Sequence, residues 1–338
     1  MKLILKMLIP MFMAVTAQSA MASDPLPVFV SIVPQKYIVQ QIGKDRVDAR
    51  VMVKPGASPA TYEPKPAQMA ALSKTRLYFS IGVPFETYWL KKIASANPDM
   101  RVVHTDEGIQ KIPMAAHHHH DEEEGHHEDA HHEEDGEHHH AHKGHEPDHH
   151  DGHHDGHHDG DHHDEASHED DHGHGHEGLD PHIWMSPALV KVQAGHILSA
   201  LVAEDPANKD FYTRNHAAFI EKATALDNEL REMFRGKQGM RFMVFHPAWG
   251  YFAHDYGLEM IPIEIQGKDP KPAQLKELIK HARENHIKVI FVQPQFSAKS
   301  AKLVAREIKG QVATADPLAF DWAANMRAMA DKFKEALK

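Results

Sequence analysis

Residues 206–235 read PANKDFYTRNHAAFIEKATALDNELREMFR, with no glycine and no proline after the first position. Tyr212, His216, Phe219, Ala223, Leu226, Leu230 and Met233 recur at spacings of three and four, which puts them on one face of an α-helix. Pro206 suits the start, because a first-turn N–H has no intrahelical partner to lose. Such a helix spans about 45 Å. A helix this long, set between two stretches of alternating strands and helices, reads as a strut joining two lobes.

Upstream of the strut, apolar β-branched runs at Val28–Val33, Val47–Val53, Leu77–Ile81 and Arg101–His104 read as strands. Helices are expected over Pro34–Ile42, Ala67–Lys74 and Phe85–Ala94, with one more after Pro187 that has Val190, Ala194, Ile197 and Leu201 on one face. Downstream the pattern repeats. Strands are expected at Arg241–Phe245, Leu258–Ile263, Lys288–Val292 and Gln311–Ala315, and helices at Lys271–His286, Ala298–Lys309 and Asp321–Leu337. Alternation of this kind implies parallel sheets. The expected fold is α/β: two Rossmann-like lobes, residues 23–205 and 236–338, joined by a long rigid helix over 206–235.

The first lobe is interrupted by residues 117–176. They hold 25 of the 33 histidines and 21 acidic residues, with Lys143 the one basic residue and no Phe, Tyr or Trp. Too little apolar surface is present to offset the entropy of ordering, so a disordered loop is expected. Neutral imidazole is a common ligand for zinc and its neighbours, so the loop is also expected to bind metal. The loop contributes −20 to the net charge of −12, which leaves +8 for the remainder. The acidity is therefore local, and the negative total gives no support for nucleic-acid binding.

Residues 1–22 have the form of a secretory signal: Lys2 and Lys6, a short apolar run from Met7 to Ala17, and Ala20-Met21-Ala22 as a cleavage site. The run is too short to span a membrane and contains Pro10. With no cysteine there is no disulfide and no thiol for a lipid anchor. Export to a bacterial periplasm, without a membrane anchor of its own, is the expectation. About 250 residues remain outside the signal and the loop, enough for two modest lobes.

Ligands of open α/β sheets sit beyond the carboxyl ends of the strands. The first polar residues after the four downstream strands are His246, Glu264, Gln293 and Asp316. Three are metal-ligand types, and His182 can join them from beside the strut. Two histidines, a carboxylate and one further position suit zinc. His216 is expected to pack or hydrogen-bond. His196, His254, His281 and His286 are expected on the surface, and nothing assigns His104 a role. Phosphate-loop, nucleophile-elbow and HExxH signatures are absent.

Four local sequences carry a resemblance. Pro55-Gly56-Ala57-Ser58-Pro59 with Tyr62-Glu63-Pro64, Asp180-Pro181-His182-Ile183-Trp184, Phe245-His246-Pro247-Ala248-Trp249-Gly250-Tyr251-Phe252, and Asp316-Pro317-Leu318 occur in that order. They resemble the four signatures of the zinc/manganese-binding proteins of bacterial ABC importers, the ZnuA-type family, which often carries a histidine-rich acidic loop. The resemblance implies a monomeric receptor with one metal between its lobes and an ABC permease as partner. It assigns His182, His246 and Asp316 as ligands. Histidine rather than glutamate at position 246 favours Zn²⁺ over Mn²⁺.

One departure stands out. The family usually places a ligand histidine directly after Ser58-Pro59, and here that residue is Ala60. Water, a histidine of the loop or a carboxylate can complete the shell, or the loss weakens binding or alters metal selectivity. Glu264 is the best carboxylate candidate, because it ends a strand; Glu63 is expected to be structural. The leading function is capture of Zn²⁺ for import. The alternatives are a periplasmic zinc buffer or chaperone and, in a different class, a secreted zinc hydrolase, for which no general base stands at motif spacing.

Overall fold

The computed structural model describes residues 24–115, 178–265 and 267–337. The signal expected over 1–22 and the histidine loop expected over 117–176 lie outside the described residues. The upstream lobe is built from β1 (Leu26–Val30), α1 (Val33–Gly43), β2 (Val47–Val51), α2 (Pro66–Leu72), β3 (Leu77–Ser80), α3 (Pro84–Ala96) and β4 (Arg101–His104). Its four strands are all parallel, in the order β2-β1-β3-β4, with Val28 in register with both Ala49 and Leu77. The downstream lobe has β5 (Arg241–Val244), α6 (Gly250–Tyr256), β6 (Glu259–Pro262), α7 (Pro272–Glu284), β7 (Val289–Val292), α8 (Lys299–Glu307), β8 (Gln311–Thr314) and α9 (Trp322–Ala336). Its sheet order, β6-β5-β7-β8, repeats the first. Between the two lie α4 (Pro187–Glu204) and α5 (Lys209–Met233).

The strut is shorter than the sequence suggests. Pro206–Asn208 forms a separate 3₁₀ turn, so α5 has 25 residues and a length of about 37 Å. Tyr212 donates to Asp205 Oδ2 at 2.6 Å, which anchors the start. At the far end Phe234 caps the helix and Gly236, at φ 76°, turns the chain out of it. Tyr212, Phe219, Ala223, Leu226 and Leu230 of the expected stripe are buried, and His216 is half-buried beside them. Strand β1 also differs from expectation: it ends at Val30, because the helix start at Val33-Pro34 takes the last residues of that apolar run. Nothing in the sequence pattern marks helix α6, since seven residues directly behind Pro247-Ala248-Trp249 show no resolvable periodicity.

The alternation of β5 divides the core. Phe242 and Val244 face the strut and α9, whereas Met243 and Phe245 face α7 and α8. On the first face Phe333 of α9 lies 4.6 Å from both Phe242 and Phe291, and each fully buried ring contributes about 1.5–3 kcal/mol by leaving water. The apolar cluster on this face is continuous with that of the upstream lobe through Phe219 and Trp322, 6.2 Å apart. The lobes thus share one packed core along α5 and α9.

Candidate metal centre

In the β6-β5-β7-β8 sheet the chain leaves β5 toward β6 on one side and returns to β7 on the other, so the crevice opens at the carboxyl ends of β5 and β7. His246 stands there, two residues beyond β5. Gln293, just past β7, holds its backbone on both sides: the amide donates to His246 O at 2.6 Å and accepts from His246 N at 3.2 Å. The imidazole stacks on Phe296 with centroids 4.7 Å apart. Its Nδ1 donates to Glu264 Oε1 at 2.6 Å, and Glu264 is 6% exposed. Burial pushes the imidazole's pKa below its ordinary value, with the Glu264 carboxylate opposing that shift. The neutral, ligating form is favoured on balance.

His182 is held in the same manner by different elements. Asp180, Pro181 and His182 make a turn in which Asp180 Oδ1 accepts from His182 N at 2.9 Å and from its Nδ1 at 2.7 Å. Asp180 is fully buried, and Trp184 packs on the His182 ring at 5.0 Å. Because a carboxylate can only accept, both histidines carry a proton on Nδ1, and in the neutral, ligating form both Nε2 atoms present lone pairs. Those two Nε2 atoms are 3.3 Å apart. Two lone pairs so placed repel unless a cation lies between them. Nitrogens on one tetrahedral zinc, each about 2.0–2.1 Å from the metal, stand about 3.3–3.4 Å apart.

Of the four residues singled out from sequence, the fold brings His182 and His246 together. Glu264 lies on the Nδ1 side of His246, away from the convergent nitrogens, and its Oε2 is buried with no partner among the described residues. Asp316 Oδ1 accepts from Gln295 Nε2 at 2.9 Å and from Leu318 N at 3.0 Å, which fixes the turn after β8. No set of three His, Cys, Asp or Glu side chains converges as a metal cluster among the described residues. Ala60 is exposed on a loop turned by Gly56 at φ 81°, and Glu63 on the same loop is exposed too. In the sequence Asp180 stands out only as the first residue of Asp180-Pro181-His182. Its spacing, two residues before His182, is the signal for a side chain that orients an imidazole.

Two parallel-sheet lobes on a shared strut, with two carboxylate-oriented imidazoles aimed at one point, define a metal-binding protein of the solute-receptor class. The model of the family described as ZnuA, zinc-uptake complex component A, periplasmic, matches residues 28–336, and the chain belongs to that family. Its members are binding proteins and not enzymes. The chain is 36% identical over 132 residues to the high-affinity zinc uptake system protein ZnuA of Bacillus subtilis, which is 38% of this chain and 41% of that protein. Over 137 residues it is 38% identical to the iron-binding protein YfeA of Yersinia pestis, covering 39% of this chain and 44% of the relative. These alignments therefore span under half of each relative. A crystal structure of ZnuA matches more fully, with 36% identity, a TM-score of 0.74, and coverage of 93% of this chain and 100% of that one.

Proposed function

We propose that this protein captures Zn²⁺ in the periplasm and delivers it to an ABC-type import permease. The observation behind this reading is the 3.3 Å separation of the His182 and His246 Nε2 atoms, each opposite a buried carboxylate that holds the proton on the other ring nitrogen. That separation is the one two imidazoles take on a tetrahedral zinc. Nitrogen donors favour zinc over manganese. In this reading His182, His246 and Asp316 are ligands. Glu264 orients His246 and does not complete the shell. Ala60 supplies nothing, so the remaining position falls to water or to a histidine of residues 117–176.

Zinc titration of the full mature chain against a coloured chelator tests the reading. One tight equivalent is expected, lost in His182→Ala and in His246→Ala. Retention of that equivalent in both variants refutes it. Export is checked separately: the periplasmic fraction should yield a protein whose mass corresponds to a start near Ser23.

A further inference from the structure

His182 precedes the strut in the chain, yet its segment is tied by polar contacts to the downstream lobe. Tyr251, on α6 and five residues beyond His246, donates to Asp180 O at 2.8 Å. Trp184 donates through its indole to Pro317 O at 2.8 Å, and Trp322 donates to Trp184 O at 2.7 Å. Ser186 donates to Asp255 Oδ2 at 2.5 Å. The turn that orients His182 is therefore seated on the body that carries His246.

Tyr251 occupies a special place among these contacts. Its hydroxyl also accepts from Ile112 N at 3.3 Å. Ile112 and Asp180 are partners in a short antiparallel ladder: Asp180 N donates to Ile112 O at 2.8 Å, Met114 N donates to Gly178 O at 3.0 Å, and Pro113 bridges Leu179. The chain leaves this ladder into residues 116–177 and returns from them to it. One phenolic oxygen thus bridges both strands where that insertion begins and ends, and Asp180 is the last residue of the ladder. Tyr251 is 3% exposed, and burial pushes its pKa up to about 12. It remains a hydroxyl, able to donate and accept together, at any physiological pH. Gly250 closes the arrangement from below: a Cβ there would fall 2.3 Å from Asp180 Oδ2.

We propose that Tyr251 is a positioning residue of the metal centre, whose hydroxyl seats the Asp180–His182 turn on the downstream lobe so that the two Nε2 atoms stand preassembled. This rests on His182 and His246 being the ligand pair. A preassembled pair spares the bound state the cost of ordering the turn, and the effect falls on metal release more than on capture. Losing one buried hydrogen bond of ordinary strength corresponds to a rise of about fivefold in the zinc dissociation rate.

The test uses the full mature chain as wild type, Tyr251→Phe and, as control, Tyr256→Phe. Tyr256 lies on the same helix and donates to Asp227 Oδ1 of the strut at 3.2 Å, so its loss removes a buried hydrogen bond without touching the His182 turn. Imidazole ¹⁵N spectra of the metal-free proteins at one fixed pH are compared with stopped-flow zinc release. In wild type, His182 and His246 should each show a single Nδ1–H tautomer. In Tyr251→Phe the His182 signal should move toward tautomer averaging, with His246 unchanged, and zinc should leave about fivefold faster; Tyr256→Phe should alter neither. Gly250→Ala pushes the same turn from the other side and should give the same His182 signature. An unchanged His182 signal in both Tyr251→Phe and Gly250→Ala, or an equal acceleration of release in Tyr256→Phe, overturns the proposal. Absence of a tight zinc site in the wild type refutes the proposed function instead, and the metal-free spectra still judge Tyr251.

Discussion

Replacing Glu264 separates two roles that a carboxylate can play beside a metal. In the structure its Oε1 accepts the Nδ1 proton of His246 at 2.6 Å, and its Oε2 is buried without a partner among the described residues. Glu264→Gln keeps an oxygen to accept that proton but removes the charge. A hydrogen bond to a charged group contributes about 1 kcal/mol more than a neutral one, so zinc affinity should fall about fivefold. Glu264→Ala removes the acceptor altogether, freeing the His246 ring and its tautomer. Loss of such an orienting partner costs about 10–100-fold in metal affinity, equivalent to about 1.4–2.7 kcal/mol. Competition with a coloured chelator at neutral pH measures both. The metal-free Gln variant should be no less stable to heat than wild type, since a buried charge with one unpaired oxygen is itself costly. A graded loss, small for Gln and larger for Ala, is the signature of an orienting residue. Equally severe losses in the two variants would refute this assignment and make Glu264 a direct donor.

Ala60→His restores a nitrogen donor on the first-signature loop and should tighten zinc binding at least tenfold, by the same chelator competition; unchanged affinity shows that the loop faces away from the metal. Deleting residues 117–176 should leave one tight site and remove the weaker equivalents expected at higher zinc, whereas loss of the tight site shows that it depends on those residues. Glu86, on α3, has its carboxyl pKa raised to about 7, chiefly by burial, with the backbone N–H groups of Ile81 and Gly82 opposing the shift. Its folded pKa exceeds its unfolded one, so the protonated form stabilises the fold at low pH. That contribution, up to about 3 kcal/mol, is lost as pH rises from roughly 4.5 through 7. Glu86→Gln should flatten the fall in thermal midpoint between about pH 5 and 8, and an unaltered slope argues against the shift.

Periodicity alone was enough to read two α/β lobes and a strut, because strand and helix repeats are written locally in the spacing of apolar residues. Seven of the eight strands overlap their expected positions nearly end to end; β1 is displaced toward the amino end by the pull of Pro34 on the helix start. His182 and His246 were legible as candidates, since histidine after Asp-Pro and at the end of a strand are local patterns. The strand-end rule also pointed to one crevice for both, but the geometry of their meeting, with the two Nε2 atoms face to face, depends on contacts between residues 64 apart in the chain. Tertiary structure also supplied the partner of Glu264. Sequence places it at a strand end facing the crevice, but only the pairing of β5 with β6 and the clamp on His246 by Gln293 determine which ring nitrogen it meets. The same holds for Asp180 and Tyr251. A carboxylate or a hydroxyl in the sequence has chemistry without direction, and direction comes from the packed elements that leave it one partner within reach.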